Sequence, residues 1–342
     1  MIHIDCLINS VSKDNWGMIM KALSLFSGGL DSILAVKLIE EQGIDVVGIF
    51  FETPFFTSQK AVQSAQNIGF LIKIVDITDS LFKIVLSPKY GYGRGLNPCI
   101  DCHILMYKTA GDILEKEGAD FIISGEVLGQ RPMSQNLQSL SLIAHNSGFK
   151  ELILRPLSAK RLPESLPERE GWVVREKLLG ISGRSRKPQI ELARKFGIED
   201  YPSPAGGCLL ANEVFSRRLK DLISFNPEFS RREIELLKWG RHFRVNEKAK
   251  VVVGRNQREN EAISSLMSEE DTLLTVEEIP GPTVLVTGQI SPDELDIVAS
   301  IAVSYSDAEI NQRAAVCLKR DSQSWTAIAM GIEKEKFYRY MI

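Results

Sequence analysis

The stretch KALSLFSGGLDSILAVKLI, residues 21–39, decides the fold. A short apolar run leads into a Ser-Gly-Gly-Leu-Asp-Ser turn at residues 27–32, and an apolar segment of helical character follows. Strand, glycine turn and helix in that order open a βαβ unit. Gly28 and Gly29 can take backbone angles closed to other residues, so successive N–H groups can face an anion that the positive end of the helix also attracts. Asp31 or Ser32 is the expected cap of that helix.

The alternation continues outward. DVVGIFF, a helix near residues 57–67 and FLIKIVDI extend the order to β, α, β, α, β, which predicts a doubly wound parallel sheet with right-handed crossovers. A helix over residues 104–117, with Met106, Ala110, Ile113 and Leu114 on one face, and a buried strand in DFIISGE prolong the pattern. In such a sheet the ligand sits beyond the carboxyl ends of the strands, where the 27–32 turn lies. From Leu157 to Pro188 the chain is rich in Pro and charge and reads as an excursion beside the site. A helix at QIELARKFG, the turn YPSPAGGCLLA and a charged helical stretch ending near Trp239 come next. Strands in KVVVG, TLLTV and TVLVTG predict a second, smaller α+β domain. The expected division is an extension at 1–20, disordered or ahead of the true start, a catalytic domain at 21–215, a helical connector at 216–239 and a tail domain at 240–342.

Composition narrows the function. The 342 residues are 44% hydrophobic, enough for full cores, and the net charge of −3 gives no global basic field, so any RNA-binding surface must be local. No run approaches the ~20 apolar residues that cross a bilayer, and the start lacks a basic end followed by a long apolar core. A cytoplasmic location without a membrane partner is the expectation. Five cysteines, odd in number and sparse, argue against a disulfide framework and point to metal or redox chemistry.

The glycine turn lacks the Lys of a Walker A loop and is not G-x-G-x-x-G. It resembles the pyrophosphate-binding PP-loop, S-G-G-x-D-S, of the N-type ATP pyrophosphatases, whose fold is the adenine nucleotide alpha hydrolase-like α/β sheet. That resemblance implies ATP cleaved between its α- and β-phosphates, with Ser27, Gly28, Gly29 and Ser32 on the pyrophosphate and Asp31 helping to bind Mg2+. Ser124-Gly125-Glu126, ending a later strand at the same edge, matches the place where the superfamily lines its nucleotide pocket, so Ser124 and Gly125 join the ATP set. A capped turn with no ligand is the alternative.

NPCIDCH puts Cys99 and Cys102 in C-x-x-C spacing just before a helix, whose positive end lowers thiol pKa and favours metal ligation or nucleophilic attack. Cys208 follows Gly206 and Gly207. These residues are similar to the N-P-D-x-x-C pattern and the distant second cysteine of the tRNA 2-thiouridine synthases, with Cys99 in place of the family's Asp. The substitution yields the three-cysteine set, Cys99, Cys102 and Cys208, of thiolases in this superfamily that hold a 4Fe-4S cluster. Three thiolates on a cubane leave one iron free to hold sulfide. Open alternatives are zinc with His103 as fourth ligand, a cluster-free relay in which Cys208 carries a persulfide that Cys102 resolves, and a merely buried Cys208. Cys6 and Cys317 have no partner pattern.

Arg155, Lys160, Arg161, Arg184, Arg186 and Lys187 supply cations after the sheet, and GRSRKPQ resembles the G-R-x-R-K-x-Q region of the thiolating enzymes, which implies phosphate contacts from Arg184, Arg186 and Lys187. Near the C-terminus KVVVGRNQREN resembles the RNA-binding segment of the NFACT family. RNA contact through Arg255, Asn256 and Arg258, with Lys248 and Lys250 nearby, follows from that likeness. The expected function is therefore an ATP-dependent tRNA-uridine sulfurtransferase. Asp31, Cys102 and Cys208 would be catalytic, with ATP, Mg2+ and a 4Fe-4S cluster, and with tRNA and a sulfur donor, sulfide or a persulfide carrier, as partners. The alternatives are the persulfide relay, a regulatory RNA-binding protein that binds nucleotide without turnover, and activation of a small molecule.

Overall fold

The computed structural model describes residues 20–202 and 208–342. The leading extension up to residue 19, Cys6, Gly206 and Gly207 lie outside them. Contacts divide the chain into two units: Met1–Phe51, Ser58–Asp76 and Cys102–Ala205 form the first, and Glu52–Thr57, Ile77–Asp101 and Gly206–Ile342 the second.

In the first unit a five-stranded sheet runs in the order β3-β2-β1-β4-β5, from β1 (Lys21–Leu25), β2 (Asp45–Glu52), β3 (Ile72–Asp76), β4 (Phe121–Ser124) and β5 (Ile153–Leu154). The β1–β2, β1–β4 and β4–β5 pairs are parallel, with Leu25 opposite Ser124. Ala22 and Leu23 of β1 and Phe121 to Ile123 of β4 are fully buried, which is why these strands read as continuous apolar runs rather than alternating ones. Helix α1 (Leu30–Glu40) is buried on most of its surface, and α2 (Gln59–Asn67) follows β2.

The expected helix at 104–117 is two elements, α4 (Cys99–Asp112) and α5 (Leu114–Glu117), following α3 (Thr78–Leu86). The apolar face persists across the break, since Ala110 and Leu114 are both buried. Helices α6 (Leu137–Ser147), α7 (Leu166–Arg169) and α8 (Lys187–Lys195) complete the unit. The Pro-rich excursion is pinned rather than loose. Ser158 Oγ donates to Ile181 O at 2.7 Å and accepts from Leu128 N at 2.9 Å.

The second unit holds α3, α9 (Glu213–Phe225), α10 (Arg231–Leu236), α11 (Gln257–Ser265) and α12 (Pro292–Ser304). Its six-stranded sheet has the order β11-β10-β8-β9-β7-β6, from β6 (Arg241–Arg244), β7 (Ala249–Val253), β8 (Thr272–Val276), β9 (Val284–Gly288), β10 (Arg313–Arg320) and β11 (Gln323–Met330), and every pairing is antiparallel. Side chains alternate between two cores: Val251, Val253, Val284 and Val286 pack with Val298 and Ala302 of α12, whereas Val252 and Leu285 pack with Ile263 of α11 and Leu236 of α10. Covering both faces explains why β7 is buried at every position. The fold is thus a doubly wound PP-loop-type α/β sheet with a separate α+β domain, as the sequence predicts.

Candidate functional site

The 27–32 turn joins β1 to α1 at the carboxyl edge of the sheet, beside the end of β4. Gly28 has φ +75°, and a Cβ there would fall 2.6 Å from Ala61 Cα, so only glycine fits. Gly125, just past β4, lies against the turn. A Cβ on it would stand 2.5 Å from the Asp31 carbonyl carbon and the Ser32 nitrogen.

The cap of α1 differs from the expectation. Gly29 is the N-cap, with no side chain to satisfy the first-turn N–H groups, and Asp31 and Ser32 fall inside the helix. Ser32 Oγ instead donates to Gly29 O at 2.7 Å, and Ser27 Oγ approaches it at 3.3 Å. An uncapped start on an eleven-residue helix leaves backbone donors for an anion, which fits a pyrophosphate. Asp31 Oδ2 accepts from Gln130 Nε2 at 2.8 Å, whereas its buried Oδ1 has no hydrogen-bond partner among the described residues. One unmatched carboxylate oxygen beside an anion cradle suits Mg2+, which is held mainly by phosphate oxygens, water and one or two carboxylates.

Behind Ser124 lies a buried polar cluster. Tyr107 donates to Glu126 Oε2 and accepts from Ser124 Oγ, both at 2.6 Å, and Arg155 Nε donates to Glu126 Oε2 at 2.8 Å. His103 Nδ1 sits 2.8 Å from Glu126 Oε1. Burial alone would raise the Glu126 pKa, yet the Arg155 charge and the His103 and Tyr107 hydrogen bonds outweigh it and hold the carboxyl well below the usual range. Burial, then the Glu126 charge, pushes the Tyr107 phenol far up. Arg155, expected among the RNA-facing cations, is only 7% exposed and serves this cluster instead. Ser124 Oγ is likewise engaged inside the sheet rather than turned outward.

Cys99 and Cys102 lie on the first turn of α4, Cys102 buried and Cys99 half-buried, and Cys208 is half-buried at the start of a short 3-10 turn. Among the described residues no group of three His, Cys, Asp or Glu side chains could hold a metal ion.

Of the basic residues expected to touch RNA, Arg184 and Lys187 are exposed and Arg186 is half-buried at the N-cap of α8, its Nε without a partner among the described residues. In the second unit Arg255, Asn256 and Arg258 are exposed. The GRNQREN run also fastens itself. Asn256 Oδ1 caps α11 by accepting from Glu259 N at 3.0 Å, Arg255 Nε donates to Glu259 at 2.9 Å, and Asn260 Oδ1 accepts from Thr283 N at 3.0 Å. Arg258 stands over the Trp239 ring at 5.8 Å. Lys250 is not surface: it is 7% exposed beneath α9, 3.7 Å from Asp221, which also takes both ends of the Arg244 guanidinium. The outward cations of this segment are Lys248, Arg255 and Arg258.

Sequence reading gave no role to Gln130 or Gln189. Gln189, in the first turn of α8, closes the G-R-x-R-K-x-Q stretch, where only its basic neighbours were assigned a contact, and Gln130, in the loop after β4, belongs to no motif.

Two families of known proteins match separate parts of the chain. Residues 17–161 match the thiamine biosynthesis protein (ThiI) family and residues 240–341 the NFACT protein RNA binding domain. The chain is 31% identical over 148 residues to a probable tRNA sulfurtransferase of Methanothermobacter thermautotrophicus, covering 40% of this chain and 36% of that protein. It is 34% identical over 118 residues to the tRNA-specific 2-thiouridylase MnmA of Clostridium acetobutylicum, with coverage of 29% and 33%. Over 222 residues it is 26% identical to MnmA of Marinobacter nauticus, 59% of this chain and 53% of that one. The chain thus spans between about a third and a half of the length of these relatives. The resemblance to tRNA-thiolating PP-loop enzymes and to an NFACT-like tail, stated from motifs above, is the one these comparisons return.

Proposed function

We propose that this chain is an ATP-dependent tRNA sulfurtransferase. The observation that carries the reading is the uncapped glycine start of α1 beside the unmatched Asp31 oxygen, within the segment, residues 17–161, that matches the ThiI family. A uridine carbonyl oxygen attacks the α-phosphorus of ATP, and pyrophosphate leaves against the first-turn N–H groups of α1. Asp31 would hold Mg2+, which would supply positive charge to the phosphates. A sulfur nucleophile then adds to the adenylated carbon and AMP departs with the former carbonyl oxygen.

The relay reading supplies that sulfur without a metal. A persulfide on Cys208 attacks the activated carbon, and the Cys102 thiolate attacks Cys208 Sγ to release the thiocarbonyl, leaving a disulfide that a cellular thiol reduces. The exposed Lys248, Arg255 and Arg258, with Arg184 and Lys187, supply phosphate contacts for tRNA. Among the described residues no helix is long and apolar enough to cross a membrane, and a cytoplasmic location suits a tRNA substrate.

Mass spectrometry of tRNA nucleosides from a deletion strain tests the proposal. Loss of one thiolated nucleoside, restored by the wild-type gene and not by Asp31→Asn, is the expected outcome. An unchanged nucleoside profile would sink it and leave a nucleotide-dependent RNA-binding protein.

A further inference from the structure

Two glutamines link the acid of the glycine turn to a helix that arrives much later in the chain. Gln130 Nε2 donates to Asp31 Oδ2 at 2.8 Å, and Gln189 Nε2 reaches Gln130 Oε1 at 3.5 Å. Gln189 is fully buried, on the first turn of α8, which packs on α1.

The order of donors is dictated from one end. An ionised carboxylate only accepts, so Gln130 must turn its amide nitrogen to Asp31, which leaves its oxygen facing Gln189. Gln189 must then present nitrogen, and its own buried oxygen has no partner among the described residues. Burying a primary amide costs about 1–3 kcal/mol where its hydrogen bonds go unmade, so a core position with no need for one favours Leu or Met. What the pair does achieve is to occupy one oxygen of Asp31 and hold the carboxylate plane, so that Oδ1, buried and unpartnered, is the oxygen left for a cation.

We propose that Gln130 and Gln189 are positioning residues that orient the Asp31 carboxylate toward the metal of bound MgATP. The inference rests on the reading of the turn as an ATP site, and both glutamines act through Asp31. Outer partners that orient a metal-binding carboxylate typically contribute 10- to 100-fold in metal affinity. Gln130, in direct contact, carries most of that effect, and Gln189, through a bond at the long limit of geometry, carries less.

The test is Mn2+ binding to the full chain, followed by electron paramagnetic resonance with a non-hydrolysable ATP analogue present. Gln130→Met should weaken Mn2+ binding about 10- to 100-fold, while affinity for the analogue in EDTA stays within about twofold, a split that general damage to the fold would not give. In an Asp31→Asn background the same substitution should cost nothing further, because the group it orients is gone. Gln189→Met, expected to weaken Mn2+ by about three- to tenfold through the same contact, provides the reading if Gln130→Met does not fold. Wild-type Mn2+ affinity in the glutamine variants, or an equal loss with and without Asp31, overturns the positioning role alone. Failure of the wild-type chain to bind the analogue overturns the nucleotide reading, and this role with it.

Discussion

Arg155 and Glu126 form a buried ion pair: Nε donates to Oε2 at 2.8 Å behind the end of β4, with both side chains under 10% exposed. Tyr107 and His103 take further positions on the same carboxylate, so the charge is fully surrounded. Such pairs contribute little by comparison with apolar packing, but removing one partner strands a charge. Arg155→Met should destabilise the fold by about 3–5 kcal/mol in urea titrations. The pH dependence follows from the depressed Glu126 pKa. The contribution is complete above the unfolded-state value of 4.5 and is lost as pH falls toward the lower folded-state value. Unfolding midpoints between pH 3 and 7 should therefore slope less in Glu126→Gln than in wild type. Equal slopes would remove Glu126 from the acid response.

Gly125 gives a sharper probe of the turn than the serines do. A Cβ there meets backbone atoms of Asp31 and Ser32 at 2.5 Å, and backbone cannot swing aside as a side chain can. Gly125→Ala should displace the start of α1 and weaken binding of an ATP analogue at least about tenfold by calorimetry, since anion binding there depends on aligned N–H groups. Retained affinity would mean that the turn is not the phosphate site.

Lys250 is a stability liability. Burial, opposed in part by Asp221, lowers its pKa to about 8 from 10.5. Between those values the unfolded chain binds more protons than the folded one, so stability rises with pH from about 8 to 10.5 and the penalty is complete below 8. Lys250→Met should stabilise the protein at pH 7 by on the order of 1–3 kcal/mol and flatten that rise, with Arg244 still neutralising Asp221. A destabilised variant would contradict this account.

In the tail, structure separates two kinds of residue within one motif. Arg258→Ala should lower RNA affinity and reduce the salt slope of binding by about one counterion, because its guanidinium is outward. Asn256→Ala should instead cost about 0.5–2 kcal/mol of stability through the lost α11 cap. Equal salt slopes for Arg258→Ala and wild type would take Arg258 out of the RNA surface.

Sulfur delivery divides on one measurement. Protein purified without oxygen should hold no stoichiometric iron and should accumulate a Cys208 persulfide visible by mass spectrometry when Cys102 is replaced by Ser. Stoichiometric iron bound through the cysteines would restore the cluster and discard the relay.

Much of the first unit was legible because its interior is simple. Strands buried on both faces leave uninterrupted apolar runs, and the SGGLDS turn announces its own neighbours, so β1, α1 and the sheet class follow directly. What escaped reading is what depends on distant partners. Arg155 looks like a surface cation until Glu126 and Tyr107 are placed beside it, and Lys250 looks like an RNA contact until α9 covers it. Gln130 and Gln189 are separated by 59 positions and meet only through the packing of α8 on α1. The cap of α1 was misassigned for a local reason: Asp and Ser are good caps in general, but the chain enters the helix two or three residues earlier, at Gly29.

The run from Arg255 to Asn260 uses many of its polar atoms on its own architecture: a cap, a clasp to Glu259 and a tether to Thr283. The motif is thus in large part a joint of the scaffold. Lys248 and Arg258 take no part in that cap, clasp or tether, so a change at either can alter the outer surface without loosening the corner.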